Sequence, residues 1–377
     1  MLRSEGKVAI SAAIMTHPDR RDAAEALRAL CGELAPRVMV DPDPSGPPSA
    51  WRTARSAWAA VEPGATHHLV LQDDVTLSEG FVEALVASVS ARPTDALALF
   101  VEWGSRSAGA VRLAAAAGAA WAECADDYTP CVALVLPAAD AAEFADFAAA
   151  TSTERDPDDV VLLNFLRGRG RRTLAPTEGL VEHDFLSSLV GNSIMGLRRS
   201  VRVSAAWSGS VDAVVAVAPR LIPYYDWWDQ QAAAFVPDAE SPDGWTRIRS
   251  GPAFERLGAS ASSADVSFDA VADSIPGRLR QLVSAIILRE LWKTGFLFGV
   301  VIGQDGRTEK VVESSTAFDE SVATIAPGGL RRIVPTHLLF EVTELVHPLL
   351  RAAVVAGRHF AADHHPSTNA TRQEATR

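Results

Sequence analysis

The sequence predicts an α/β protein: a mostly parallel nucleotide-binding sheet with helices on both faces, followed by a helix-rich C-terminal region. Apolar runs at residues 7–14 and 67–72 read as strands buried on both faces, as in parallel sheets. Between them, apolar residues recur at helical spacing. The opening of the chain therefore reads β-α-β-α-β, the order that right-handed crossovers close into a parallel sheet. The third strand ends in Gln72-Asp73-Asp74-Val75, and ligands of open α/β sheets bind at that carboxyl edge.

The elements follow in order. Lys7 to Ile14 is the first strand, and Thr16-His17-Pro18-Asp19 turns the chain. Residues 20–34 carry Ala23, Ala26, Leu27, Leu30 and Leu34 on one helical face. Arg37 to Val40 is a second strand, and the Pro- and Asp-rich run 41–48 forbids helix or central strand. A helix over 49–61 leads to the strand at 67–72, with His67 and His68 read as surface residues preceding it. Further expectations are a helix near 79–91, strands near 96–102 and 131–136, and helices over 138–149 and 160–168, the last preceded by a polar segment. A loop then ends at Gly179-Leu180-Val181-Glu182-His183.

The first domain is expected to span 1–200. Residues 201–362 read as mixed and then helical. They hold a strand candidate (Val211 to Val217), the aromatic cluster Tyr224 to Trp228, helices over 267–290 and 330–360, and a turn at Gly303-Gln304-Asp305-Gly306. Residues 363–377 lack periodicity and read as a disordered tail.

Bulk properties exclude several classes. A length of 377 residues suits two domains, and 48% hydrophobic with 22% charged residues is a globular composition. A net charge of −12 argues against a general nucleic-acid binder. Three scattered cysteines make neither a disulfide framework nor a four-thiolate zinc site and read as buried thiols. The most apolar stretch, Leu282 to Ile302, is broken by Arg289, Glu290 and Lys293, which predicts no membrane span. With no signal peptide visible, the location expected is cytoplasmic. No phosphate loop, dinucleotide fingerprint or nucleophile elbow occurs.

Adjacent carboxylates where a strand ends suit Mg²⁺ or Mn²⁺, which bind through one or two carboxylates plus substrate phosphates. The plainer reading is that Asp74 caps the following helix and Asp73 is solvated. Four passages together resemble glycosyltransferases of the type A fold, in a bacterial subset close to family-two and lipooligosaccharide-type enzymes. They are the strand leading into Thr16-His17-Pro18-Asp19-Arg20-Arg21; Leu71-Gln72-Asp73-Asp74-Val75; Asp156-Pro157-Asp158-Asp159-Val160; and Val181-Glu182-His183 through Gly191-Asn192. The likeness covers roughly residues 1–200 and departs from the usual motif at Gln72, which is neutral where many relatives have an acid.

The resemblance implies a nucleotide-sugar donor, an acceptor that is a glycan, a peptide or a small natural product, and Mn²⁺ or Mg²⁺ as cofactor. Asp74 is the expected direct metal ligand, with Asp73 on ribose or metal-bound water. His183 is a candidate third ligand, and an imidazole favours manganese. Asp158 and Asp159 are candidate general bases, although carboxylates at a helix start are also favoured by the dipole. Thr16 belongs to the segment that meets the nucleotide. Arg20 and Arg21 are candidates for the diphosphate, and Asp41, with Asp43, for the nucleoside. Trp103 and the 224–228 cluster are candidates for stacking on sugar, or for a contact between domains or subunits. The C-terminal region could equally build a homo-oligomer. A nucleotidyltransferase is disfavoured because Ala12-Ala13-Ile14-Met15-Thr16 replaces the expected Gly-rich loop, and a non-catalytic binding or scaffold protein stays open because of Gln72. The loop around 41–48 or that around 151–159 is expected to be mobile and to order over bound donor.

Overall fold

Strand alternation sets the layering of the first half of the molecule. A computed structural model describes residues 2–3, 8–184, 191–203, 219–305 and 316–364. The chain divides into two compact units, Met1–Ser107 with Ala120–Val215, and Ala108–Ala119 with Ala216–Arg377. Strands of the first unit are β1 (Leu2–Arg3), β2 (Ala9–Thr16), β3 (Arg37–Val40), β4 (His67–Gln72), β5 (Val75–Leu77), β6 (Ala96–Ala98), β7 (Trp121–Glu123), β8 (Ala133–Pro137), β9 (Thr173–Pro176) and β10 (Val181–His183). Its helices are α1 (Arg21–Leu30), α2 (Trp51–Trp58), α3 (Phe81–Ala91), α5 (Ala138–Thr151) and α6 (Asp158–Gly168), while all but the first two residues of α4 (Arg106–Ala116) belong to the second unit.

Ile10, Ala12 and Ile14 of β2, with Leu69 and Leu71 of β4, join one core together with α1 and α3 (Leu27, Phe81, Leu85, Val89). The intervening Ala13, Met15 and Val70 join the other, with α2, α5 and α6 (Trp58, Phe144, Leu162, Phe165). Helices therefore cover both faces, as expected. Full burial of each large apolar side chain contributes about 1.5–3 kcal/mol. Trp58 and Phe144 meet edge to face at 6.1 Å.

The main sheet runs β1-β2-β4-β8-β6-β9-β7, with β3 also on β2. β3 and β4 flank β2 in parallel, and β9 is parallel to β6, whereas β1, β7 and β8 run the other way. Five of these eight strands thus share one direction. The antiparallel β8 sits in the middle, and its sequence could not reveal that, because a strand buried on both faces is an apolar run in either direction. β5 and β10 form a separate antiparallel pair. The expected strand at 96–102 ends at Ala98, and α4, β5, β7, β9 and β10 were not foreseen as elements.

His67 and His68 correct the surface reading. Both are buried within β4, and each ring has two hydrogen-bond partners: Thr66 and the Pro93 carbonyl for His67, Ser11 and the Ala57 carbonyl for His68. Burial drives the His68 imidazolium down to a pKa of about 4. The neutral ring donates from Nε2 to the Ala57 carbonyl, which can only accept, so Nδ1 accepts from the Ser11 hydroxyl. Satisfied on both sides, it packs as a core residue.

The second unit holds an antiparallel sheet, β11 (Ile222–Asp226), β12 (Gln231–Pro237) and β13 (Trp245–Arg249). Helices α7 (Ser250–Arg256), α8 (Ala261–Asp269), α9 (Gly277–Leu282) and α10 (Ala285–Gln304) follow, then three more at Thr316–Ala323, Ile325–Leu330 and Thr336–His364. The single helix expected over 267–290 is therefore three, with breaks near Pro276 and Ser284. The Gly303-Gln304 turn is the end of α10. Gly295, Gly299 and Gly303 lie against Ala353, Val354 and Ala361 of the last helix, and a Cβ on Gly299 would collide with the Val354 carbonyl. Those glycines bring two helix backbones together rather than turning the chain. Tyr224 to Trp228 form the end of β11 and its hairpin tip. Val211 to Val217 and the tail beyond His364 lie outside the described residues. Among the described residues no helix is long and apolar enough to cross a membrane.

Candidate active site

The carboxyl ends of β2 and β4, neighbours in parallel register with Met15 opposite Gln72, place Thr16 beside the acid pair. The Thr16 hydroxyl donates to Asp73 Oδ2 at 2.6 Å. Arg20, in the turn leading into α1, reaches back and bridges both acids from Nη1, at 3.2 Å to Asp73 Oδ1 and 3.1 Å to Asp74 Oδ2. Burial pushes the Asp73 carboxyl above its usual range; Thr16 and Arg20 pull it down, and Asp74 adds to the push. Both acids are about nine-tenths buried. The solvated reading of Asp73 does not fit this geometry, and neither acid caps α3, whose N-cap is Gly80.

His183 arrives through the β5–β10 ladder. It pairs with Val75, and the next residue, Asp184, donates its backbone N–H to the Asp74 carbonyl at 2.8 Å. The register carries His183 Nε2 to 3.7 Å from Asp74 Oδ2. Burial lowers the imidazole's pKa, Asp74 pulls it back up, and Arg198 lowers it again. Arg198 Nη2 lies 3.3 Å from Nε2. Among the described residues, Asp74 Oδ1 and His183 Nδ1 are buried without hydrogen-bond partners.

Those two side chains are the ones suited to a divalent ion. An orphaned carboxylate oxygen beside an imidazole supplies two ligands, and diphosphate oxygens with water complete such a shell. Among the described residues, no three His, Cys, Asp or Glu side chains gather into a self-sufficient metal site. The donor set therefore fits an ion that comes with its substrate.

The second acid pair stands close by. Gln72 Nε2 lies 4.0 Å from Cys131 Sγ, which lies 3.9 Å from Asp158 Oδ2. Gln72, the departure from the family motif, thus leads through a thiol to the start of α6. Burial, with Asp159 adding its charge, drives Asp158 up to about 7. Asp159 is also raised, again chiefly by burial, while its Oδ1 accepts from the Val160 N–H at 2.8 Å. Asp158 faces a thiol that burial and the two aspartates keep protonated.

Other expected residues make different contacts. Arg21 is exposed at the first position of α1, and Arg20 makes the contact instead. Asp41 is buried and held by Arg52 through two hydrogen bonds of 2.9 Å, which lower its pKa. Arg52 also donates to the carbonyls of Asp43 and Pro47 and to Glu154. It thereby fastens the 41–48 loop to the segment around 152–154, where Trp51 Nε1 also donates to Ser152 Oγ at 2.8 Å. The two loops expected to order over donor are already tied to each other. Trp103 is buried and offers no open ring face. Trp228 is 57% exposed, with the Arg332 guanidinium 3.8 Å over its ring.

Sequence reasoning missed Arg198, Cys131 and Asp184. Asp184 directly follows the His183 motif and was within reach of it. Arg198 carries no signal beyond an Arg-Arg pair, and Cys131 looks like any buried thiol. No protein-family model matches the chain, and a search of curated proteins finds no relative.

Proposed function

We propose that the protein is a metal-dependent glycosyltransferase that moves a sugar from a nucleotide-sugar donor to an acceptor hydroxyl, in the cytoplasm. The observation that carries this reading is the meeting of Asp74, with an orphaned buried oxygen, and His183 at the sheet edge, next to a second acid pair in which burial raises Asp158 to about 7. The type A glycosyltransferase resemblance agrees with it. A divalent ion held by Asp74 and His183 would neutralise charge on the departing diphosphate as a Lewis acid.

The protein's own groups do the rest. Thr16 and Arg20 hold Asp73 in place, where its carboxylate can accept from a ribose hydroxyl. Asp158, half protonated near pH 7, takes the acceptor's proton in an inverting transfer, since a base works best with a pKa near the working pH.

A panel of nucleotide sugars with Mn²⁺ and a readout of free nucleoside diphosphate tests the proposal. Slow hydrolysis of one donor, removed by chelator and by Asp74→Ala, supports it. Pyrophosphate-dependent exchange instead selects a nucleotidyltransferase. Arg20 favours one rival, a non-catalytic sugar-nucleotide-binding protein, because its guanidinium already occupies both acids. Donor binding without turnover selects that rival.

A further inference from the structure

Arg198 differs from the other arginines around this site. Arg20 is balanced by Asp73 and Asp74, Arg199 faces Glu182 at 3.9 Å, and Arg202 faces Glu178 at 3.7 Å. Arg198 is half-buried and spends a guanidinium N–H on an imidazole, with no ion pair among the described residues. A neutral imidazole nitrogen is a modest acceptor for so strong a donor, and it leaves the charge uncompensated.

The backbone around Arg198 is firmly placed. The Arg199 carbonyl accepts from Trp103 N at 2.8 Å, and Val201 N donates to the Val101 carbonyl at 3.0 Å. Glu182 Oε1 accepts from both Ser200 N and His183 N, each at 2.8 Å. Gly179 packs so closely that a Cβ there would lie 2.6 Å from the Arg202 carbonyl. The guanidinium is thus presented from a fixed segment, within electrostatic reach of both His183 and Cys131.

The imidazole sharpens its role. Nε2 has one lone pair in the plane of the ring. While it accepts from Arg198, the ring proton sits on Nδ1, the buried nitrogen without a partner, and Nε2 is closed to any other cation. A group that draws Arg198 away reopens it.

We propose that Arg198 is a binding residue for the donor's diphosphate, trading His183 for phosphate oxygens, and that this exchange frees His183 Nε2 for the cation. An arginine fork matches phosphate geometry in a way an imidazole nitrogen does not. Anion and cation then bind with positive coupling, each making room for the other. The identity of the anion rests on the glycosyltransferase reading; the anion site itself does not.

Calorimetry with inorganic pyrophosphate and with ADP, CDP, GDP and UDP, in Mn²⁺ and in chelator, tests it on the full-length protein. Wild type is expected to bind pyrophosphate, more tightly with Mn²⁺. Arg198→Met should weaken pyrophosphate about tenfold or more, the loss of hydrogen bonds to a charged group. It should also tighten Mn²⁺ measured alone, because Nε2 is already free. Arg198→Lys keeps the charge without the fork and should fall between; it serves as the test if the methionine variant does not fold. Unchanged pyrophosphate affinity in a folded Arg198 variant, with donor turnover intact in wild type, overturns the role of Arg198 and leaves the transferase reading standing. Arg198-dependent pyrophosphate binding without turnover of any donor does the reverse. Failure of the wild type to bind any of these anions overturns both.

Discussion

Asp73–Asp74 and Asp158–Asp159 are the same dipeptide in the sequence and opposite environments in the fold. The first pair meets a cation and a hydroxyl: Arg20 bridges both acids and Thr16 donates to one. The second begins a helix beside a thiol, and Asp158 is driven to about 7 by burial and by its own neighbour. Neighbours decide the chemistry, not the residues. One pair is bridged by a guanidinium, while the other holds, at Asp158, a proton it can exchange near neutrality.

The contrast can be broken in several places. Asp74→Ala removes the orphaned oxygen and should cut donor turnover by at least about a hundredfold, since groups that merely support a metal ligand already cost tenfold to a hundredfold. Steady-state release of nucleoside diphosphate checks it. Asp158→Asn should lower turnover by about a hundredfold and abolish the rise in rate through pH 7, as expected for loss of a general base; a rate profile from pH 5.5 to 9 that stays unchanged would remove Asp158 from the chemistry.

Removing the bridging cation addresses stability. Arg20→Met strands two buried carboxylates and should cost about 3 kcal/mol, the lower end for breaking a buried pair, with part of the loss restored by adding Asp73→Asn. Denaturant unfolding of the single and double variants checks it.

A further effect concerns pH. Asp158's folded pKa of about 7 lies above that of an unfolded aspartate, so the folded protein holds a proton the unfolded chain has released. Its presence should therefore lower stability progressively as pH rises from about 4 to about 7. Asp158→Asn should melt higher than wild type at pH 8, with the advantage fading by pH 5. Equal melting differences at both pH values would show that the carboxyl is not raised.

Much of the first unit was legible in the chain. β3 and β4 carry the expected bounds because buried strands read as unbroken apolar runs between turn residues. Thr16, Arg20, Asp73, Asp74 and His183 could be named because each sits at an element end, and they meet in one place. What stayed hidden was pairing. The direction of β8, the β5–β10 ladder and the Arg52 fastening of two loops all depend on contacts distant in sequence, which local periodicity does not record. The histidines of β4 were misread for a related reason: a ring with both nitrogens satisfied is as easily buried as a leucine, and only the three-dimensional neighbours supply that satisfaction.

The β5–β10 ladder also orders events in time. As the chain leaves the ribosome, Thr16 and Arg20 precede the acids, so Asp73 and Asp74 can find a counter-charge as soon as β2 and β4 pair. The imidazole and Arg198 emerge more than a hundred residues later, after the sheet has been completed through β9. A nascent or truncated chain ending before Val181 would hold the Arg20-bridged acid pair without the imidazole that approaches Asp74, until the last strand of the ladder closes.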